Sequence, residues 1–347
     1  MQSILFHIPS RLVGWPLFGW GLLLAVWAVA GGSWFLRTAR RDGIASAVST
    51  LGLPLGVAAA MVVWVLPALD DGEGVPIRGY GVMLLAAAAA GIWLSIVRGR
   101  RSGFDADTIL ALGMEVFLWG LVGARLFYVI EYWEQFFPPG RSLVAGLPAV
   151  LNLTAGGLVV FGSLPTAALA AWRFARKRGL PILALADCIA PGLLLGLALG
   201  RVGCFLNGCC YGGPCDLPWA VSFPQGSPPW LDQQARGILP DNASRSLPIH
   251  PAQLYAALDA ALLAALAVAF TPVSRRNGEV FALVLTLHPI SRILLEAIRT
   301  DEPPALGTPL SISQLISLVL LILAMGLWWF ITRQPPRPGQ HSEAKPV

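Results

Sequence analysis

Charged side chains are scarce in this sequence. Only 12% of its 347 residues are Asp, Glu, Lys or Arg, against roughly 25% in a soluble globular protein. With 56% of residues hydrophobic, that shortage excludes an ordinary soluble domain and points to a polytopic membrane protein. Cysteine is also sparse, with five residues, and no C-x2-C pair gives the strongest sign of a zinc site. A basic soluble face is missing too. The net charge of +5 comes mostly from short arginine clusters, so it reports membrane topology, and no nucleic-acid partner is expected. The start lacks the charged opening, short apolar run and small-residue cleavage site of a signal peptide, so its first apolar run is expected to stay as a membrane helix. What the chain does have is thirteen tryptophans, suited to membrane interfaces where amphipathic rings settle.

Apolar stretches long enough to span, about 20 residues each, fall at 13–36, 46–68, 78–97, 109–131, 153–172, 182–204, 251–271, 279–298 and 311–332. The expected fold is therefore an all-α polytopic membrane bundle of about nine transmembrane helices. The fifth stretch is split by Pro165, and the eighth carries His288, Arg292 and Glu296. Alternate connections and the C-terminal tail hold 15 of the 24 basic residues, among them Arg37, Arg40, Arg98, Arg100, Arg173, Lys177, Arg275 and Arg333. The opposite connections hold only Arg11, Arg141, Arg236, Arg245 and Arg299. The positive-inside rule then puts the N-terminus and the 205–250 loop outside and the C-terminus in the cytoplasm.

An internal repeat appears at an offset of 60: Pro16-Leu-Phe-Gly-Trp-Gly aligns on Pro76-Ile-Arg-Gly-Tyr-Gly, and the match runs on to Arg40-Arg41 against Arg100-Arg101. Phe18 and Trp20 become Arg78 and Tyr80, the kind of polar pair a site would use. Residues 1–75 read as an accessory two-helix segment, 76–332 as the membrane core, and 333–347 as a proline-rich, disordered cytoplasmic tail.

Polar chemistry concentrates in a few places. Ala198-Leu-Gly-Arg-Val-Gly-Cys-Phe-Leu-Asn-Gly-Cys-Cys-Tyr-Gly-Gly213 ends an apolar run in Arg201, five glycines, Asn207 and Tyr211, preceded on the same segment by Asp187 and Pro191. Ionisable groups at membrane depth are costly and usually functional. Tyr80 lies at the outer end of the third span, where an interfacial tyrosine is the plain reading. Arg125, in Gly123-Ala-Arg-Leu-Phe-Tyr128, has snorkelling as its plain reading. Ile249-His-Pro-Ala-Gln-Leu-Tyr255 brings His250, and His288-Pro-Ile-Ser-Arg-Ile-Leu-Leu-Glu296 brings His288. Arg292 and Glu296 sit at i and i+4 on one face, either a structural pair or part of a site, and Arg299 continues the stripe. Several guanidiniums converging from different helices suit an anion, and in a membrane the nearest phosphate is a phospholipid head group. Cys204, Cys209, Cys210 and Cys215 are open to three readings: disulfides or packing thiols, a metal site, or thiols activated by Arg201.

Together these segments resemble the prolipoprotein diacylglyceryl transferases of bacteria, from roughly Pro76 to Trp329. Ile77-Arg-Gly-Tyr-Gly-Val-Met83 is similar to the family's first core helix, Gly200 to Gly212 to its signature, Ile249 to Tyr255 to its H-P-x-Q-L-Y motif, and Ser291 to Arg299 to its final arginine–glutamate stripe. The resemblance implies a seven-helix transferase core with two added N-terminal helices, in a bacterial plasma (inner) membrane. It implies transfer of the diacylglyceryl group of phosphatidylglycerol to the lipobox cysteine of preprolipoproteins, giving a thioether and glycerol 1-phosphate. It implies no cofactor and no metal. The catalytic set it suggests is Tyr80, Arg292, Glu296, His250 and His288, with Arg201, Arg125, Asn207, Gly212 and Arg299 on phosphatidylglycerol. Other membrane lipids and lipobox peptides complete the expected partners.

Some positions depart from the pattern. The family's motif histidine falls on Phe161, the signature's asparagine and glutamate on Cys204 and Cys209, and a tyrosine near the last motif on His288. His250 or His288 would then relay the proton. A rival reading is a lipid-binding homologue with altered catalysis. An anion transporter is a second, although transporter repeats usually span whole halves of the protein.

Overall fold

The computed structural model describes residues 4–138, 143–152, 156–240, 242–300, 302, 305 and 307–337. The chain divides into two compact units, one of Met1–Met83, Leu206–Cys209 and Phe223–Arg245, the other of Leu84–Phe205, Cys210–Ser222 and Ser246–Val347.

The first unit opens with strands absent from the all-α expectation. β1 (Ile4–Ile8) is followed by a hairpin of β2 (Arg11–Leu12) and β3 (Trp15–Pro16). Its two-residue turn has positive φ at both Val13 (51°) and Gly14 (82°), as a type I′ turn requires. Helix α1 (Leu22–Asp42) therefore begins at Leu22 and not at the expected residue 13, because the glycines and prolines up to Gly21 serve the hairpin and the turn after it. Gly43, at φ 88°, reverses the chain into α2 (Ile44–Ala68), which contains Pro54 and a π-helical turn at Met61–Val65. β4 (Val75–Arg78) then pairs antiparallel with β1, Phe6 opposite Ile77 and Ile4 opposite Arg78. Both copies of the repeat thus run from a short strand into a long helix, three residues later in the first.

The long helix α3 (Gly79–Arg101) starts directly from β4. After it come α4 (Ala106–Glu131), the short α5 (Trp133–Phe136) and α6 (Leu143–Leu151), α7 (Val160–Arg178), α8 (Ile182–Asn207), the loop helix α9 (Pro228–Ala235), α10 (Ala252–Val273), α11 (Glu279–Glu296) and α12 (Ile312–Thr332). In the second unit, close helix approaches rest on small residues, as in membrane bundles generally. A Cβ on Gly123 of α4 would meet Thr166 Oγ1 and Gly162 O of α7 at 2.1 and 2.4 Å. One on Gly91 of α3 would meet Gly192 O of α8 at 2.9 Å. An apolar cluster of Phe104, Ile109, Leu112, Phe174, Leu185 and Cys188 fills the space among α4, α7 and α8.

Among the described residues nine long helices stand where nine spans were expected, and seven are long and apolar enough by themselves to cross a membrane. The exceptions have physical causes. α7 begins at Val160, because residues 156–159 form a loop, and it ends in Arg173, Arg176, Lys177 and Arg178. α11 has 18 residues and carries Glu279, Arg292 and Glu296. Its N-terminus is held from outside: both oxygens of the buried Asp187 carboxylate on α8 accept from backbone N–H groups, Gly278 at 2.7 Å and Phe281 at 2.8 Å. Arg337, in the segment expected to be a disordered tail, pairs with the same carboxylate and donates to Asn277 Oδ1 at 2.7 Å. Residues 338–347 lie outside the described residues.

Candidate active site

The geometry that could do chemistry is built at the C-terminal end of α11. Glu296 is 6% exposed, a cost in free energy unless it is paired. Its Oε2 lies 2.8 Å from Arg292 Nη2 and 3.3 Å from Arg299 Nη1, and its Oε1 accepts from Ser311 Oγ at 2.9 Å. Ser311 is also the N-cap of α12, with a complete capping box to Gln314. One serine therefore fixes both the start of α12 and the glutamate that holds Arg292.

Glu302, six residues beyond the end of α11, completes this lattice. It lies 3.2 Å from Arg299 Nη2 and 3.4 Å from Arg292 Nη2, and it accepts from Ser313 Oγ at 2.7 Å. Burial pushes its carboxyl up. The bonds from Glu296 and Ser313 and the two guanidinium charges outweigh that, leaving it below the ordinary glutamate value. The signal available was its spacing, three residues after Arg299, but it sits beyond the helix where periodicity stops.

Both carboxylates grip Arg292 through Nη2, as does Ser313 Oγ at 2.9 Å. Among the described residues no acceptor meets its Nε or Nη1. Arg201, at the end of α8, is half-buried and meets no protein acceptor among the described residues. Its charge acts on both His288 and Arg292. One guanidinium is thus fixed with an open edge, and a second beside it is uncompensated. Such a pair attracts an anion, since arginine holds phosphate bidentately and stays charged in low dielectric.

The turn after Arg201 is stitched to the other motifs by backbone. Gly212 N–H donates to His250 O, His250 N–H to Gly213 O and Gly213 N–H to Ile298 O, each at 3.0 Å. A Cβ on Gly212 would stand 2.6 Å from His250 Cβ, so only glycine fits. The signature, the His-Pro segment and the final stripe meet at this point. Cys210 turns the chain with a φ of 61°, uncommon for a residue with a side chain. The sulfurs of Cys204 and Cys210 lie within 4.8 Å, and Cys188, Cys210 and Cys215 are in no disulfide.

His250 and His288 differ in surroundings. Tyr255 OH lies 3.4 Å from His250 Nδ1 and accepts from Trp219 Nε1 at 2.7 Å. His288 lies one turn before Arg292, and its buried Nδ1 has no hydrogen-bond partner among the described residues.

Three other expected residues are described by their own surroundings. Tyr80 and Asn207 belong to the first unit. Tyr80 is 40% exposed near the start of α3. Asn207 ends α8 and lines a cavity of about 320 Å³ with Pro224, Gln225 and Ser227. Arg125 is 7% exposed, and all five of its N–H donors are occupied by backbone carbonyls. Nε donates to Val150, Nη1 to Gly156 and Gly157, and Nη2 to Ala149 and Asn152, at 2.7–2.9 Å. The rings of Tyr128 and Phe136 cover its faces. Snorkelling does not describe it, and no donor remains for a lipid phosphate.

A family model described as prolipoprotein diacylglyceryl transferase matches residues 67–330. A phosphatidylglycerol–prolipoprotein diacylglyceryl transferase of Rhodopirellula baltica is 40% identical over 255 residues, 69% of this chain and 50% of that protein. The chain thus spans half the length of that relative. Proteins of the same name from Clostridium tetani and Gloeobacter violaceus are 29% and 32% identical, over 75% of this chain in each case and 95% and 91% of their own lengths.

Proposed function

The chain belongs to the prolipoprotein diacylglyceryl transferase family, and on that premise we propose how its residues carry out the transfer. The enzyme takes the diacylglyceryl group from phosphatidylglycerol and gives it to the lipobox cysteine of a preprolipoprotein. The sulfur–carbon bond forms at the glyceryl carbon as the carbon–oxygen bond to phosphate breaks. The electron pair of that bond goes to the phosphate oxygen, and glycerol 1-phosphate leaves.

Arg201 binds the lipid phosphate, and the observation that carries this role is its lack of a protein acceptor among the described residues beside the open edge of Arg292. Arg292, with its Nη2 edge fixed by Glu296 and Glu302, stabilises the charge that grows on the leaving phosphate. Fixed donors aimed at developing charge are among the largest contributions an active site makes, roughly 3–4 kcal/mol for one donor. Arg299 holds Glu296 and Glu302 in place through its two ion pairs. Gly212 lets the signature turn lie against His250. Tyr80 and Asn207 are assigned to the lipid head group on the family resemblance. Arg125 acts one step away, by shaping the loop before α7.

The thiol has a reference pKa of about 8.5, so it needs a base or a cationic field to react. His250 or His288 takes that proton in place of the motif histidine, whose position holds Phe161. No step calls for a cofactor or metal. The membrane is the bacterial plasma membrane, with the N-terminus and the Arg201 end of α8 outside and the C-terminus in the cytoplasm, as the basic loops favour.

The test is reconstitution with phosphatidylglycerol and a lipobox peptide, following the peptide by mass. Wild type adds one diacylglyceryl group, and Arg201→Ala loses most of that product. Normal turnover by Arg201→Ala overturns the phosphate role. A wild type that binds phosphatidylglycerol without making thioether favours a lipid-binding homologue.

A further inference from the structure

We infer that Asp259 on α10, tied to Ser291, is the charge partner of His288, and that this pair receives the proton of the attacking thiol. The inference rests on the transfer reading above and deepens it. An aspartate inside a span as apolar as α10 requires a reason, because a carboxylate at membrane depth is rare and usually paired. Its partner on the facing helix is Ser291, whose Oγ donates to Asp259 Oδ2 at 2.7 Å. Ser291 stands three residues after His288, on the same face of α11, and its Oγ is also 3.0 Å from His288 O. That bond therefore brings the carboxylate against the face of α11 from which His288 and Arg292 project. The imidazole has a buried Nδ1 with no hydrogen-bond partner among the described residues.

The charges facing the ring are few. Asp259 from α10, Arg201 from α8 and Arg292 from α11 itself all act on it. α12, which packs against α11, brings no titratable side chain. Burial and the two guanidiniums oppose the imidazolium and the carboxylate favours it, so a ring that takes up a proton here depends on Asp259. In the step itself the thiol proton moves to the ring as sulfur bonds to the glyceryl carbon. The ring then passes it to the departing phosphate, which has gained the electron pair of the broken carbon–oxygen bond.

The experiment uses the full chain in lipid nanodiscs with isotope-labelled histidine, and His288→Gln assigns the resonance. Asp259→Asn should lower the titration midpoint of His288 by about one pH unit, the size expected on losing one nearby opposite charge. The acid limb of the transfer rate should move to lower pH with it, and Asp259→Glu should restore both. Ser291→Ala keeps the carboxylate but frees it. It should give a smaller shift of the same sign and serves if Asp259→Asn fails to fold. An unmoved midpoint overturns the pairing, and a moved midpoint with an unmoved rate limb overturns the proton role. A wild type that makes no thioether overturns the transfer reading and the proton role with it, leaving the titration to decide the pairing.

Discussion

Arg201 and Arg125 are both guanidiniums near the ends of apolar helices, and their surroundings give them opposite work. Arg125 has five carbonyl partners and two aromatic faces, so it holds protein. Arg201 has no protein acceptor among the described residues, so it is available to hold something else. Arg125→Lys keeps the charge but offers three donors from one point and leaves carbonyls unmet. Each hydrogen bond to a charged group contributes about 1.5–3 kcal/mol. The variant should therefore lose at least ~3 kcal/mol of stability, seen as a clearly lower thermal midpoint in detergent, while any folded fraction still binds phosphatidylglycerol. Glu302 gives a second residue-scale prediction. Its carboxyl lies below the ordinary glutamate value, so its contribution is fully present above about pH 4.3 and is lost as pH falls through the lower folded value. Glu302→Gln should abolish that acid-side loss in thermal melts and lower the transfer rate by freeing Arg292. These residues differ in how far the sequence shows them. Arg292 and Glu296 were legible because helical spacing puts them on one face. Arg125's role was hidden because its partners are backbone carbonyls, which carry no side-chain signature. Glu302 was hidden because a turn has no period.

At the scale of elements, α11 is the helix whose placement decides the site, since it carries His288, Arg292 and Glu296. It is pinned at both ends, by Asp187 at Gly278 and Phe281 and by Ser311 at Glu296. Asp187→Asn replaces one of the two accepting oxygens with a donor and removes the charge that complements the helix N-terminus. Amide exchange at Gly278 and Phe281 should speed up by at least tenfold, and unchanged exchange would show that α11 does not depend on this anchor. Asp187 itself was visible as an ionisable residue in an apolar run, but its partners lie some ninety residues away as backbone N–H groups. The same limit explains the strands. β1 and β4 pair across about 70 residues, and nothing local in Ile4–Ile8 distinguishes a strand from the start of a membrane helix.

For the molecule as a whole, the hydropathy of the sequence anticipated the nine long helices among the described residues, though α1 and α7 start later than expected, because membrane length and apolar length must match. Orientation rests on the arginine distribution. A green fluorescent protein fused after the C-terminus should fluoresce, as a cytoplasmic fusion does, and a dark fusion with an active alkaline phosphatase in its place would reverse the assignment. The central claim concerns what Arg201 holds. Phosphatidylglycerol affinity measured by native mass spectrometry, for wild type, Arg201→Lys and Arg201→Ala at equal folding, tests it directly. The alanine variant should bind at least tenfold more weakly and the lysine variant should fall between, because lysine keeps the charge without the bidentate fork. Equal affinity in all three would contradict that claim.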